Sequence, residues 1–145
     1  MQDVKLCDLE EGKTMIFVAE TSTPANTLAT SPLTTLMPIR WGIIHRVEIK
    51  IPTGHVGLTG LRIKHATILK WPTTPAVWFT GNGISIDFQV FFPVIHEPFT
   101  LEIETYNTDT AIAHGHNVLI GVLPPWAVYF TPKSQWDSWG ERLFD

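Results

Sequence analysis

Between Arg40 and Ile51 the sequence RWGIIHRVEIKI places Trp41, Ile43, His45, Val47, Ile49 and Ile51 at odd positions. Arg46, Glu48 and Lys50 fall between them. Successive side chains of an extended strand point to opposite faces, so a period of two marks a strand with one buried and one wet face. The same period returns along most of the chain, and an α-helical protein does not produce it.

A second extended run is LTGLRIKHATILKW, residues 58–71, with Leu61, Ile63, His65, Leu69 and Trp71 on one face and Arg62, Lys64 and Lys70 on the other. Pro72 and Pro75 end it, since proline removes a ladder donor. AVWFTGNGISIDFQVFF, residues 76–92, reads as a hairpin turning at Gly81-Asn82-Gly83. FTLEIETYN sends Leu101 and Ile103 inward and Glu102 and Glu104 outward, and NTDT, residues 107–110, follows as a turn. HNVLIGVLP is a core strand closed by Pro124 and Pro125; TMIFVA near the start and WAVYF near the end are further candidates. Seven or eight strands with few helix signals predict an all-β protein, a single jelly-roll-like β-sandwich.

Two segments lack this pattern. Ala19 to Pro38 is rich in Thr, Ser, Pro and Ala without alternation, and is expected as a loop or an extended arm lying on a neighbouring subunit. At the other end Ser134 and Asp137 approximate a capping box, and Trp136, Trp139 and Leu143 form one helical stripe. Gly140 weakens that helix by about 1 kcal/mol relative to Ala. So aromatic a tail folds back on its own sandwich or docks on a partner. Three regions result: residues 1–40 as N-terminal segment and arm, 41–131 as the sandwich, 132–145 as the tail. Trp136, Trp139, Leu143 and Phe144 are the candidate partner-binding residues.

The 145 residues suit one domain. Charged residues are only 17%, against a usual ~25%, while apolar residues reach 44%, so part of the surface is expected to be covered by protein. Six Trp and eight Phe point the same way, because aromatic rings are enriched at interfaces. A net charge of −4 with no basic run argues against nucleic-acid binding. The single Cys7 implies no internal disulfide, and the acidic N-terminus lacks the apolar stretch of a signal peptide. With no window of about 18 apolar residues, no membrane span is expected.

His45 and His65 share the phase of apolar neighbours, His116 is in phase with Val118, Ile120 and Val122, and His114 joins them if the strand starts early. If those strands were adjacent, three or four imidazoles would converge and suit zinc, iron or copper. His114-x-His116 is similar to the cupin metal motif, but cupins carry a Glu a few residues later, where this chain has Asn117 to Gly121. Asp87, Glu102 and Glu104, the carboxylates such a site would need, point outward by alternation. No Gly-x-Ser-x-Gly elbow occurs, no glycine-rich loop opens a helix, and Cys7 sits among acids that raise a thiol's pKa. Glu102 and Glu104 share one strand face, whereas glycosidase carboxylates flank a bond from opposite sides. No enzyme, metal or cofactor is expected.

GIIHRVEIKIPTGHVGLTGLRI, then WFTGNGISIDF, then PFTLEIETYNTDTAIAHGHNVLIGVLP resembles a small β-sandwich protein found in tailed-phage structural gene sets. The shared elements are a strand entering Pro52-x-Gly54, Trp78-Phe79-x-Gly81 before a strand, and a Tyr106-Asn107-x-Asp109 turn, across Trp41 to Pro125. The resemblance implies a virion component assembled in the host cytoplasm: a capsid decoration (cement) protein, or a head–tail joining protein. It implies a homo-oligomer, such as a trimer, with a major capsid or other virion protein as partner. Two other functions are weighed from the residues. One is a carbohydrate- or ligand-binding module using Trp71, Trp78 or Trp126, and the other is a cupin-like metal enzyme.

Overall fold

A computed structural model describes residues 14–126. Among them are eight strands: β1 (Met15–Thr23), β2 (Leu33–Pro38), β3 (Gly42–Ile51), β4 (Thr59–His65), β5 (Ile68–Trp71), β6 (Ile84–Val94), β7 (Thr100–Asn107) and β8 (His114–Leu123). They form two four-stranded antiparallel sheets, ordered β1-β8-β3-β6 and β2-β7-β4-β5. The first strand thus pairs with the last, the second with the seventh, the third with the sixth and the fourth with the fifth. The expected all-β sandwich is what the chain forms.

The core lies between the sheets. β3 supplies Ile44, Val47, Ile49 and Ile51, and β8 supplies Val118, Ile120 and Val122; Leu61, Ile63, Leu101 and Ile103 face them from β4 and β7. Burying each side chain of this size contributes roughly 1.5–3 kcal/mol. Their alternation in the sequence is the alternation of the pleat, so the central strands follow directly from it.

Four expectations need correction. Ala19 to Pro38 is no arm: it holds the second half of β1 and all of β2, which pair with β8 and β7. Its inward positions in β1 are threonines, Thr21 and Thr23, both buried, with the Thr23 and Thr105 hydroxyls 2.7 Å apart, and β2 adds Met37 to the core. A polar residue bonded inside the sandwich hides the period that apolar residues display. Residues 58–71 form two strands, turning at Ala66-Thr67 with φ of 52° and 66°. Hairpins favour such positive φ values, yet Asn-Gly usually supplies them, and no such signal is present. The segment before Gly81 does not hairpin with β6. Phe79 makes an isolated bridge with Leu61, and β6 pairs with β3.

The fourth correction concerns single side chains. A bulge between Ile44 and Arg46 in β3 turns His45 away from the core and over Gly121, where an added Cβ would stand 2.9 Å from His45 Nε2. Glu104 keeps its outward phase but is buried, because Arg62 Nε donates to its Oε1 at 2.6 Å and Lys64 Nζ to its Oε2 at 3.2 Å. Arg62 also lies 4.2 Å above the Trp78 ring.

Candidate functional site

One end of the sandwich is closed by four loops that hydrogen-bond to one another. Asn26 N–H donates to Asp109 O at 2.9 Å, and Thr108 N–H and Oγ1 both donate to Leu58 O, at 2.9 and 2.7 Å. Gly54 N–H and Val56 N–H donate to Asn82 Oδ1 at 2.8 and 3.2 Å. The predicted 107–110 turn is built by its own side chains: Asp109 N–H reaches Asn107 Oδ1 at 3.0 Å, and Asp109 Oδ1 accepts from Ala111 N–H at 2.9 Å.

Beneath these loops lie three histidines. His55 comes from the β3–β4 loop, His114 and His116 from β8, and all three are buried. The His55 ring centroid is 4.5 Å from that of His114 and 4.8 Å from that of His116. The Thr59 hydroxyl stands between two of them, 2.6 Å from His55 Nδ1 and 3.3 Å from His116 Nε2. His114 Nε2 is 2.9 Å from Asp109 Oδ2. Outside the trio is an open depression of about 410 Å³, bordered by Glu20, Thr53, His55, His114, His116 and Asn117.

Burial governs the electrostatics. Desolvation, then the neighbouring His55 and His114, pushes His116 down from 6.5 to about 4. His55 is lowered by burial and by His114, partly offset by its bond to the Gly115 backbone. Backbone N–H donors at Ala111 and Ile112, together with His114, hold Asp109 below the usual carboxylate range. Among the described residues, buried His116 Nδ1 has no hydrogen-bond partner.

Two of the four histidines singled out from the sequence, His114 and His116, do converge. His45 sits on the outer face, and His65 lies at the opposite end of β4, its Nε2 2.9 Å from Pro98 O. His55 completes the cluster without any periodic signal, because it falls in the Pro52 to Gly57 turn. Its flanking Gly54 (φ 105°), Val56 (φ 48°) and Gly57 (φ 74°) bend the chain inward there. Among the described residues no group of three or more His, Cys, Asp or Glu is arranged to hold a metal ion. The nitrogens explain this: His55 Nδ1 and His116 Nε2 both face Thr59, and His114 Nε2 faces Asp109, so no common point is shared. Thr59 is fully buried, so its hydroxyl cannot meet a substrate. Trp136, Trp139, Leu143 and Phe144 lie outside the described residues.

A second feature is on the first sheet's outer face. Ile16 and Val18 of edge strand β1 are 57% and 63% exposed, and Val18 stands opposite Leu119 of β8. Trp41 and Trp126, both exposed, meet edge to face with centroids 6.4 Å apart.

No family profile matches the chain, and no curated protein does. Among solved structures, it is similar to a chain of the cyanophage Pam1 capsid asymmetric unit, with TM-score 0.50 and 10% identity over 77% of this chain and 85% of that one. A crystal structure of FLHE has TM-score 0.48 and 9% identity, over 77% of this chain and 98% of that one. The first likeness is one of fold.

Proposed function

We propose that this chain is a structural protein of a virus particle, a decoration protein of jelly-roll build that works by protein–protein contact. The observation that carries this reading is the apolar edge of the first sheet. β1 is nine residues long, and Glu20 is the one charged side chain along it. Among the described residues its outer edge pairs with no strand, and it offers those backbone groups together with Ile16 and Val18. Natural edge strands are usually blunted by charge, proline or cover, so an edge of this kind is suited to pairing with another chain. The nested strand order, with 1 beside 8 and 4 beside 5, supports a jelly roll, and a cyanophage capsid chain shares the fold.

In this reading the partners are further copies of the chain and a shell protein, and the place of action is the virion. Trp136, Trp139, Leu143 and Phe144 supply a second contact, and many weak contacts on a repeating shell become collectively strong. A head–tail joining role uses the same surfaces on a ring rather than a shell. The sugar-binding reading is less well supported: Arg62 covers the Trp78 face, and Trp71 packs against Phe88 and Phe92. Sugars stack on open aromatic faces.

The test is assembly by the full chain and by a form lacking residues 132–145. The shortened form is expected to keep its strand-type circular dichroism and lose self-association and shell binding. Loss of fold on shortening would make the tail part of the core instead.

A further inference from the structure

Beneath the four loops the hydrogen bonds run in one direction. The Thr59 hydroxyl has one proton to give and stands 2.6 Å from His55 Nδ1 but 3.3 Å from His116 Nε2. The shorter contact assigns that proton to His55 Nδ1, so the neutral His55 ring carries its own proton on Nε2. The Thr59 hydroxyl donates to that Nδ1 and accepts from His116 Nε2–H. His116 Nδ1 is left as a bare lone pair in a ring that is only 1% exposed. This direction of bonding holds only while both rings are neutral. A proton added to His55 Nδ1 makes the Thr59 hydroxyl turn its own proton away from both rings, and one added to His116 Nδ1 finds no acceptor among the described residues.

We infer that His55, His116 and Thr59, with His114 held by Asp109, form an acid-sensitive latch. It locks the 52–58 loop at neutral pH and frees it on acidification, while the two sheets stay folded. The inference stands apart from the proposed function and concerns only this end of the molecule.

The surroundings offer little to neutralise a new charge. From β4 and β7 the buried inward side chains are Thr59, Thr105 and Asn107, none ionisable in this range. From the β7–β8 loop comes Asp109, already engaged by His114, Ala111 and Ile112. From β1, Glu20 stands exposed on the rim, and Lys50, opposite Asn117 on β3, is exposed on the outer side. Two cationic rings would therefore sit with centroids 4.8 Å apart under the loops.

The direction in pH follows. His55 and His116 titrate below their ordinary 6.5 in the closed form, so the opened form takes up protons first. Opening is disfavoured near pH 7 and becomes progressively easier from about 6.5 toward 4. The Asp109–His114 contact persists further, since Asp109 stays ionised below the ordinary carboxylate range.

Hydrogen–deuterium exchange of the full chain, at pH 7.5 and pH 5 and corrected for intrinsic rates, tests this. Exchange in residues 52–59 is expected to rise by roughly ten-fold or more, while β3 amides around Val47 and Ile49 stay protected. His55→Gln and His116→Gln, which cannot take the proton, should each reduce the response. Should either variant fail to fold, ring-proton titration of the wild-type histidines provides the second reading, with His55 and His116 titrating below 6.5 as His45, outside the latch, also does. Equal exchange at both pH values, uniform loosening of the sheets, variants responding like the wild type, or all rings titrating at 6.5 would each overturn the latch.

Discussion

Thr59 makes two bonds with one hydroxyl, to His55 and His116, and is wholly buried. Thr59→Val keeps the shape and strands two imidazole nitrogens, so unfolding free energy is expected to fall by ~1–3 kcal/mol in a denaturant titration. His116 gives the same site a pH dependence. A displacement from 6.5 to about 4 corresponds to roughly 3 kcal/mol, present above pH 6.5 and lost as the pH falls toward 4. Denaturation midpoints measured across that window should decline in the wild type and flatten in His116→Gln. The sequence disclosed part of this cluster. His114 and His116 stand out by spacing and Asp109 by its turn, but His55 belongs to no period, and its burial depends on how the loops meet. Glu104 was legible as outward-facing; that Arg62 and Lys64 bury it depends on cross-strand neighbours in β4, which a single strand's pattern does not reveal.

Strands built from aliphatic residues declared themselves, and strands built from threonine did not. β2 carries Met37 inward, 2% exposed, and Leu36 outward, 64% exposed. Met37→Ala should cost ~2–5 kcal/mol. Leu36→Ser should change stability by no more than about 0.5 kcal/mol. A free arm would tolerate both, so the pair separates strand from arm by simple thermal unfolding. The β4–β5 turn was hidden because Ala66 and Thr67 adopt left-handed conformations that each cost an ordinary residue roughly 1–2 kcal/mol. Replacing them by Asn-Gly, which suits that turn, is expected to raise the melting temperature. The bulge at His45 was equally silent, since one extra residue inverts the phase without changing composition.

At the scale of the whole molecule, alternation alone determined the class, while strand order came from long-range pairing such as Met15 with Val122. One end of the sandwich is closed over the histidine cluster, and among the described residues edge strand β1 is apolar at Ile16 and Val18, while its later residues Glu20 and Thr21 border that cluster. Charge placed on the greasy edge should leave the fold intact, because Ile16 and Val18 project into solvent. Sedimentation velocity on the full chain, beside its Ile16→Lys/Val18→Lys variant, probes that edge most directly. A defined oligomer in the wild type, reduced to folded monomer in the variant, is the expected result. A wild type that sediments as a monomer at every concentration and binds no shell, or a variant with an unchanged oligomer, would contradict an assembly role for this edge.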